Sequence, residues 1–171
     1  MILAAGRGER MRPLSDATPK PLLVAGGKPL IVWQIEALAR AGFADITINA
    51  SHRADALVAA LGDGSRWDVR ISWSHEAEPL ETAGGIATAS PLLAAGPVLI
   101  VSGDIWTRFD YSSLTPRIER MAAEAAGPRV HLVMVPNPPY HAVGDFVLAG
   151  DRIALTLSWP RLATAHAGMY G

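Results

Sequence analysis

The 171-residue chain contains no cysteine. That excludes a disulfide framework and any thiolate metal site, and it fits a reducing compartment. Surplus charge is missing as well, since 15 basic residues face 16 acidic ones and leave a formal net charge of −1. A nucleic-acid surface built on excess positive charge is thereby excluded, so recognition of phosphate has to be local. Half of the residues are hydrophobic, yet Gly, Pro and charged residues break them into runs too short to cross a bilayer. A secretory leader is not recognisable, because Arg7 and Glu9 follow the first apolar run at once. The expectation is a cytoplasmic protein, with neither membrane nor nucleic acid among its partners. Its length suits one ordinary domain over residues 1–171.

Several catalytic signatures are lacking too. His52, His75, His131, His141 and His166 fall singly, without the spacing that zinc chemistry needs. No GxSxG elbow offers a nucleophilic serine. Position 11 is Met where a dinucleotide fingerprint has its third glycine, and no GK[ST] follows Gly6 and Gly8.

What is present is an alternation of strands and helices. MILAA, DITINA, VRISWS, PVLIVSGD and RVHLVMV read as strands. Between them, KPLIVWQIEALARAG, ADALVAALGDG, GGIATASPLLAAG and SSLTPRIERMAAEAAG read as helices, the first from Ile31, Ile35 and Leu38 at spacings of four and three. Such an order, with strands as near-continuous apolar runs, predicts an α/β fold with a doubly wound, mostly parallel sheet in three layers. DFVLAG, DRIAL and RLATAHAGMYG read as further short strands or turns after a Pro-rich loop. Ligands of doubly wound sheets bind beyond the carboxyl ends of the strands. Three segments lie at such ends: Gly6 to Arg12, Glu76 to Gly85, and Gly103 to Trp106.

The first of these carries the clearest chemistry. Gly6 and Gly8 let the backbone turn sharply and approach an anion, and amides in such a turn can cradle phosphate. A plain strand-to-helix turn also needs glycine, so the adjoining cations decide. Arg10 and Arg12 can fork onto phosphate oxygens, and Lys20 is a compact charge held between Pro19 and Pro21. Asp104 closes an apolar strand, where an acid is poorly tolerated unless it caps, pairs or binds metal. Gly84 and Gly85 at a helix start allow close approach to the positive end of that helix.

LAAGRGERMRPLSDATPKPLL closely resembles the signature of the sugar-phosphate nucleotidyltransferases, and the likeness runs on through EPLETAGGI, VSGDIWT and GDF. Within that family it is most similar to the bacterial N-acetylmuramate 1-phosphate uridylyltransferases of peptidoglycan recycling, with mannose-1-phosphate guanylyltransferase-like members close behind. The resemblance implies a Rossmann-like nucleotidyltransferase fold, a nucleoside triphosphate (UTP favoured) and a sugar 1-phosphate as partners, and Mg²⁺ as cofactor. It further implies that Ala4, Ala5 and Gly6 line the base, Gly8 and Arg10 hold the triphosphate, and Lys20 neutralises the reacting phosphate. Glu76, Thr82 and Gly85 would meet nucleobase and ribose, Asp104 would hold the metal, and Asn137, Gly144 and Asp145 would contact the sugar.

Two departures stand out. The family's second acidic metal ligand comes from a VDVGT-like strand that the chain does not contain, and RLATAHAGMYG stops at Gly171 with His166 where an amide usually stands. The chain is therefore expected to be part of a longer protein. A non-catalytic, nucleotide-sugar-binding regulatory subunit is the alternative of another class, and a dinucleotide-dependent dehydrogenase is weakened by Met11.

Overall fold

The computed structural model describes residues 1–124, 130–150, 152–155 and 166–168. The chain divides into two compact units, Met1–Ala125 and Ala126–Gly171.

In the first unit, β1 (Ile2–Leu3) leads through a 3-10 turn at Glu9–Met11 into α1 (Leu14–Ala17) and a second turn at Lys20–Leu22. A small hairpin of β2 (Val24–Ala25) and β3 (Lys28–Pro29) precedes α2 (Leu30–Arg40). Then come β4 (Asp45–Ala50), α3 (Ala54–Leu61), β5 (Arg70–His75), α4 (Glu81–Ala89), β6 (Val101–Ser102), a 3-10 turn at Tyr111–Leu114 and α5 (Thr115–Ala123). The sheet order is β5-β4-β1-β6, all parallel, with Ile2 opposite Ile48 on one side and Val101 on the other. From β1 the chain builds outward through β4 to β5, then returns to add β6 on the opposite side. That reversal puts a topological switch point at the carboxyl ends of β1 and β6.

Local chemistry explains the elements. The buried stripe of α2 consists of Ile31, Gln34, Ile35 and Leu38, at helical spacing. Its end is a Schellman motif, in which Phe43 N–H bonds the Leu38 carbonyl and Gly42 N–H the Ala39 carbonyl, with Gly42 at φ +88°. Ile2, Ile31, Ile35, Ile48 and Leu57 are fully buried and join sheet to helices in one core. Burial of each such side chain contributes roughly 1.5–3 kcal/mol.

In the second unit, β7 (Val135–Pro136), β8 (Phe146–Ala149), β9 (Arg152–Leu155) and β10 (His166–Gly168) form an antiparallel sheet in the order β7-β10-β8-β9. DFVLAG and DRIAL supply β8 and β9, and part of RLATAHAGMYG supplies β10, its remainder lying outside the described residues.

Two sequence expectations need correction. PVLIVSGD pairs only over Val101–Ser102, because its one neighbour among the described residues, β1, is itself only Ile2–Leu3; Val98 and Ile100 stay more than a third exposed. RVHLVMV is not a fifth strand of the parallel sheet. Arg129 lies outside the described residues, 130–134 are irregular with Val130 83% exposed, and Val135 belongs to the antiparallel sheet. An apolar run becomes a strand only where a neighbour takes up its backbone bonds.

Candidate functional site

The switch point gathers most of the residues singled out from the sequence. Beyond β1, Ala4 and Ala5 are buried while Gly6 is exposed, and a side chain at Gly6 would meet nothing within 4 Å. That backbone is therefore open to a ligand. Gly8 follows at φ +65°, a left-handed conformation natural to glycine, and starts the turn in which Met11 N–H bonds its carbonyl at 2.9 Å. Ser15 Oγ donates to the same carbonyl at 2.8 Å. A Cβ at Gly8 would lie 2.8 Å from the Lys20 Cβ, so glycine here lets the two turns pack together.

Lys20 reaches across to the other side of the switch point. Its Nζ lies 2.5 Å from Asp104 Oδ2, with the two side chains 29% and 24% exposed. The Asp104 turn is tied to β1 by Gly103 N–H, which bonds the Leu3 carbonyl at 2.8 Å. A half-buried ammonium and carboxylate thus neutralise each other beside a glycine turn, a pairing worth on the order of 1 kcal/mol to stability. Arg10 is exposed in the Glu9–Met11 turn. Arg12, by contrast, pairs with Asp16 at 3.4 Å across one helical turn.

A second group forms around Glu76, at the end of β5. This carboxylate is only 6% exposed. Its Oε1 accepts from Asn49 Nδ2 at 2.7 Å and its Oε2 from Leu80 N–H at 3.1 Å. Asn49 Oδ1 in turn accepts from Ala4 N–H at 2.8 Å. Asn49 therefore couples the end of β1 to the turn that enters α4. Nothing in the motifs marks Asn49; the available signal is a polar residue inside a buried parallel strand. With both oxygens engaged, Glu76 braces the loop, and an N–H of a base would have to share them.

Thr82 stands exposed in the first turn of α4, which opens on Glu81 at φ +58°. A non-glycine residue holds that conformation at a cost of roughly 1 kcal/mol. The helix starts three residues before Gly84, so the glycine pair lies within its first turns rather than opening it. Gly85 is buried against the Asn49 and Glu76 side chains, and a Cβ there would fall 2.7 Å from both Asn49 Nδ2 and Glu76 Oε1. Gly85→Ala is expected to cost about 1–3 kcal/mol through this overpacking, read as a lower thermal midpoint; an unchanged midpoint would mean the loop gives way freely.

The remaining candidates form a group of their own in the second unit. Gly144, at φ +67°, packs on Asn137 so tightly that a Cβ would lie 2.5 Å from Asn137 Oδ1. Asn137 Nδ2 donates to the Ala142 carbonyl at 3.0 Å, while its Oδ1 is buried with no donor among the described residues. Asp145 Oδ1 lies 3.3 Å from His141 Nε2. Among the described residues no three His, Asp or Glu side chains cluster as a metal cage. Trp106, two residues beyond Asp104, is 58% exposed. Among the same residues no helix is long and apolar enough to cross a membrane.

Comparison with known proteins bears on what such a site does. Residues 1–148 match the model of a family described as Nucleotidyl transferase. The chain is 49% identical over 152 residues to an N-acetylmuramate alpha-1-phosphate uridylyltransferase from Neisseria meningitidis, covering 88% of this chain and 64% of that protein. It is 39% identical over 117 residues to a mannose-1-phosphate guanyltransferase from Aspergillus fumigatus, covering 67% of this chain and 32% of that one. The chain thus spans less than two thirds of the length of either relative. Among solved structures, a glucose-1-phosphate thymidylyltransferase candidate from Bacillus anthracis, in complex with sucrose, shares the fold at a TM-score of 0.77 and 21% identity, over 98% of this chain and 68% of that one. HddC from Yersinia pseudotuberculosis, complexed with GMP-PN, aligns at a TM-score of 0.60 and 28% identity over 68% of this chain and 52% of its own.

Proposed function

This chain belongs to the nucleotidyl transferase family, and from that premise we propose that it joins a nucleoside triphosphate to a sugar 1-phosphate, with UTP and N-acetylmuramate 1-phosphate as the pair. The 49% identity to the Neisseria uridylyltransferase supports that choice of pair. In the reaction, a phosphate oxygen of the sugar 1-phosphate attacks the α-phosphorus. The bond from that phosphorus to the bridging oxygen of the β-phosphate breaks, and pyrophosphate leaves. The work would belong to peptidoglycan recycling in the cytoplasm.

Bringing two anions together makes positioning and charge stabilisation the main demands. The observation that carries the reading is the Lys20–Asp104 pair beside the Gly6–Gly8 turn. Amides of the glycine turn would hold the triphosphate, with Arg10 near its outer phosphates and Lys20 at the phosphorus under attack. Asn137, Gly144 and Asp145 are the candidates for sugar hydroxyls. Asp104 fits Mg²⁺ in kind, since that ion takes one or two carboxylates and fills its remaining positions with phosphate oxygens and water. A single partly exposed carboxylate suits such a site, and Mg²⁺ bound there would neutralise charge on the substrate phosphates. Lys20 Nζ lies beside that same carboxylate, so the ammonium and a metal on Asp104 would act on the substrate phosphates from neighbouring positions.

The test is a matrix of UTP, GTP and dTTP against N-acetylmuramate 1-phosphate, mannose 1-phosphate and glucose 1-phosphate, read by pyrophosphate release with and without Mg²⁺. Turnover is expected with UTP and the muramyl substrate, and only with Mg²⁺. Release with GTP and mannose 1-phosphate alone would move the assignment to the guanylyl branch, which the Aspergillus relative favours. No release with any pair would leave a binding subunit.

A further inference from the structure

Gln34, the one glutamine in the sequence, is 1% exposed on the otherwise apolar buried stripe of α2. Nothing in packing requires an amide there, and a buried amide is costly unless its bonds are met. They are met at two distant points. Its Nε2 donates to the Ile105 carbonyl at 2.9 Å, and its Oε1 accepts from the Tyr111 hydroxyl at 2.6 Å. Ile105 is the residue directly after Asp104. The carboxylate turn is therefore clamped on both sides, by Gly103 N–H on the Leu3 carbonyl and by the Ile105 carbonyl on Gln34.

The same helix also fixes the lysine. The first amide of α2, Leu30 N–H, bonds the Leu23 carbonyl at 3.0 Å, and Leu23 N–H bonds the Lys20 carbonyl at 3.1 Å. One rigid helix thus holds the Lys20 turn at its start and the Asp104 turn one helical turn later. We propose that Gln34, oriented by Tyr111, is a positioning residue that sets where the Asp104 carboxylate stands relative to Lys20. The proposal rests on Asp104 acting in the nucleotidyl transfer. Tyr111 is placed to impose the amide orientation, because a hydroxyl donating to Oε1 leaves Nε2 for the carbonyl.

The experiment compares Gln34→Met, Gln34→Leu and Tyr111→Phe in the intact protein, following thermal midpoint, Mn²⁺ affinity by electron paramagnetic resonance in the presence of nucleotide, and kcat. Both Gln34 variants should weaken Mn²⁺ binding about tenfold and lower kcat by a similar factor, with KM for the sugar phosphate unchanged. Tyr111→Phe, which keeps the amide but removes the bond that orients it, should weaken Mn²⁺ binding and lower kcat in the same direction by a smaller factor, about threefold. If the Gln34 variants lower the thermal midpoint and leave Mn²⁺ affinity and kcat as in the parent, the amide is structural and the proposal fails. Should neither Gln34 variant fold, Tyr111→Phe decides: Mn²⁺ affinity and kcat as in the parent, with only the thermal midpoint lowered, would overturn the proposal. A parent protein inactive toward every substrate pair would overturn the functional reading instead, independently of these comparisons.

Discussion

Asp104→Asn is expected to lower the rate of nucleotidyl transfer by about 10³-fold, because it removes the carboxylate charge beside Lys20 while keeping the shape of the side chain. Stability should hardly change. The pair it breaks is about a quarter exposed on each side, and the lysine left behind can be solvated at a cost of the order of 1 kcal/mol or less. A large rate loss therefore cannot be attributed to unfolding, provided that thermal midpoints are measured on the same preparations. The metal response should change with it, raising the Mg²⁺ concentration needed for half-maximal rate. A loss of less than tenfold would remove Asp104 from the reacting centre.

Lys20→Ala is the second large effect, and its signature is a split between binding and turnover. If the ammonium acts on charge that builds in the transition state, kcat should fall about 10²-fold while KM for the nucleotide rises no more than about threefold. Arginine should not restore the rate. The Lys20 turn is packed on Gly8, whose backbone approaches the lysine Cβ, and a planar guanidinium cannot reproduce a compact ammonium at 2.5 Å from a carboxylate. Because Lys20 and Asp104 touch, the double variant should lose far less than the product of the single losses. A rise in KM with kcat unchanged would show a lysine that only holds the nucleotide.

How much of this was legible beforehand depended on the distance over which each feature is decided. The glycine turn, the proline-framed lysine and the helix end at Gly42 are local matters, written in a few adjacent residues, and each stands in the structure where the sequence put it. Asp104 could be picked out because an acid at the end of an apolar strand calls for a partner, and the partner is Lys20. Gln34 and Asn49 could not be picked out in the same way. Their partners lie 71 and 77 positions away for Gln34 and 45 and 27 for Asn49, so only the folded topology reveals what a polar residue on a buried stripe is for.

The apolar runs misled for a related reason. PVLIVSGD and RVHLVMV have the composition of central strands, but a strand is a pairing, and composition does not say whether a neighbour is present. Glu76 shows the same limit. The sequence offers a loop acid, and only the fold shows that its two oxygens also accept from Asn49 and the Leu80 amide.

The central claim is that Lys20 and Asp104 stand on either side of the phosphorus at which the nucleotide is transferred. Its most direct test is a crystal structure of the intact protein with Mg²⁺ and a non-hydrolysable UTP analogue. The account predicts the α-phosphate within hydrogen-bond distance of Lys20 Nζ, the metal on an Asp104 oxygen, and the original 2.5 Å pair opened to admit them. An analogue bound away from both side chains, with that pair still closed, would contradict it.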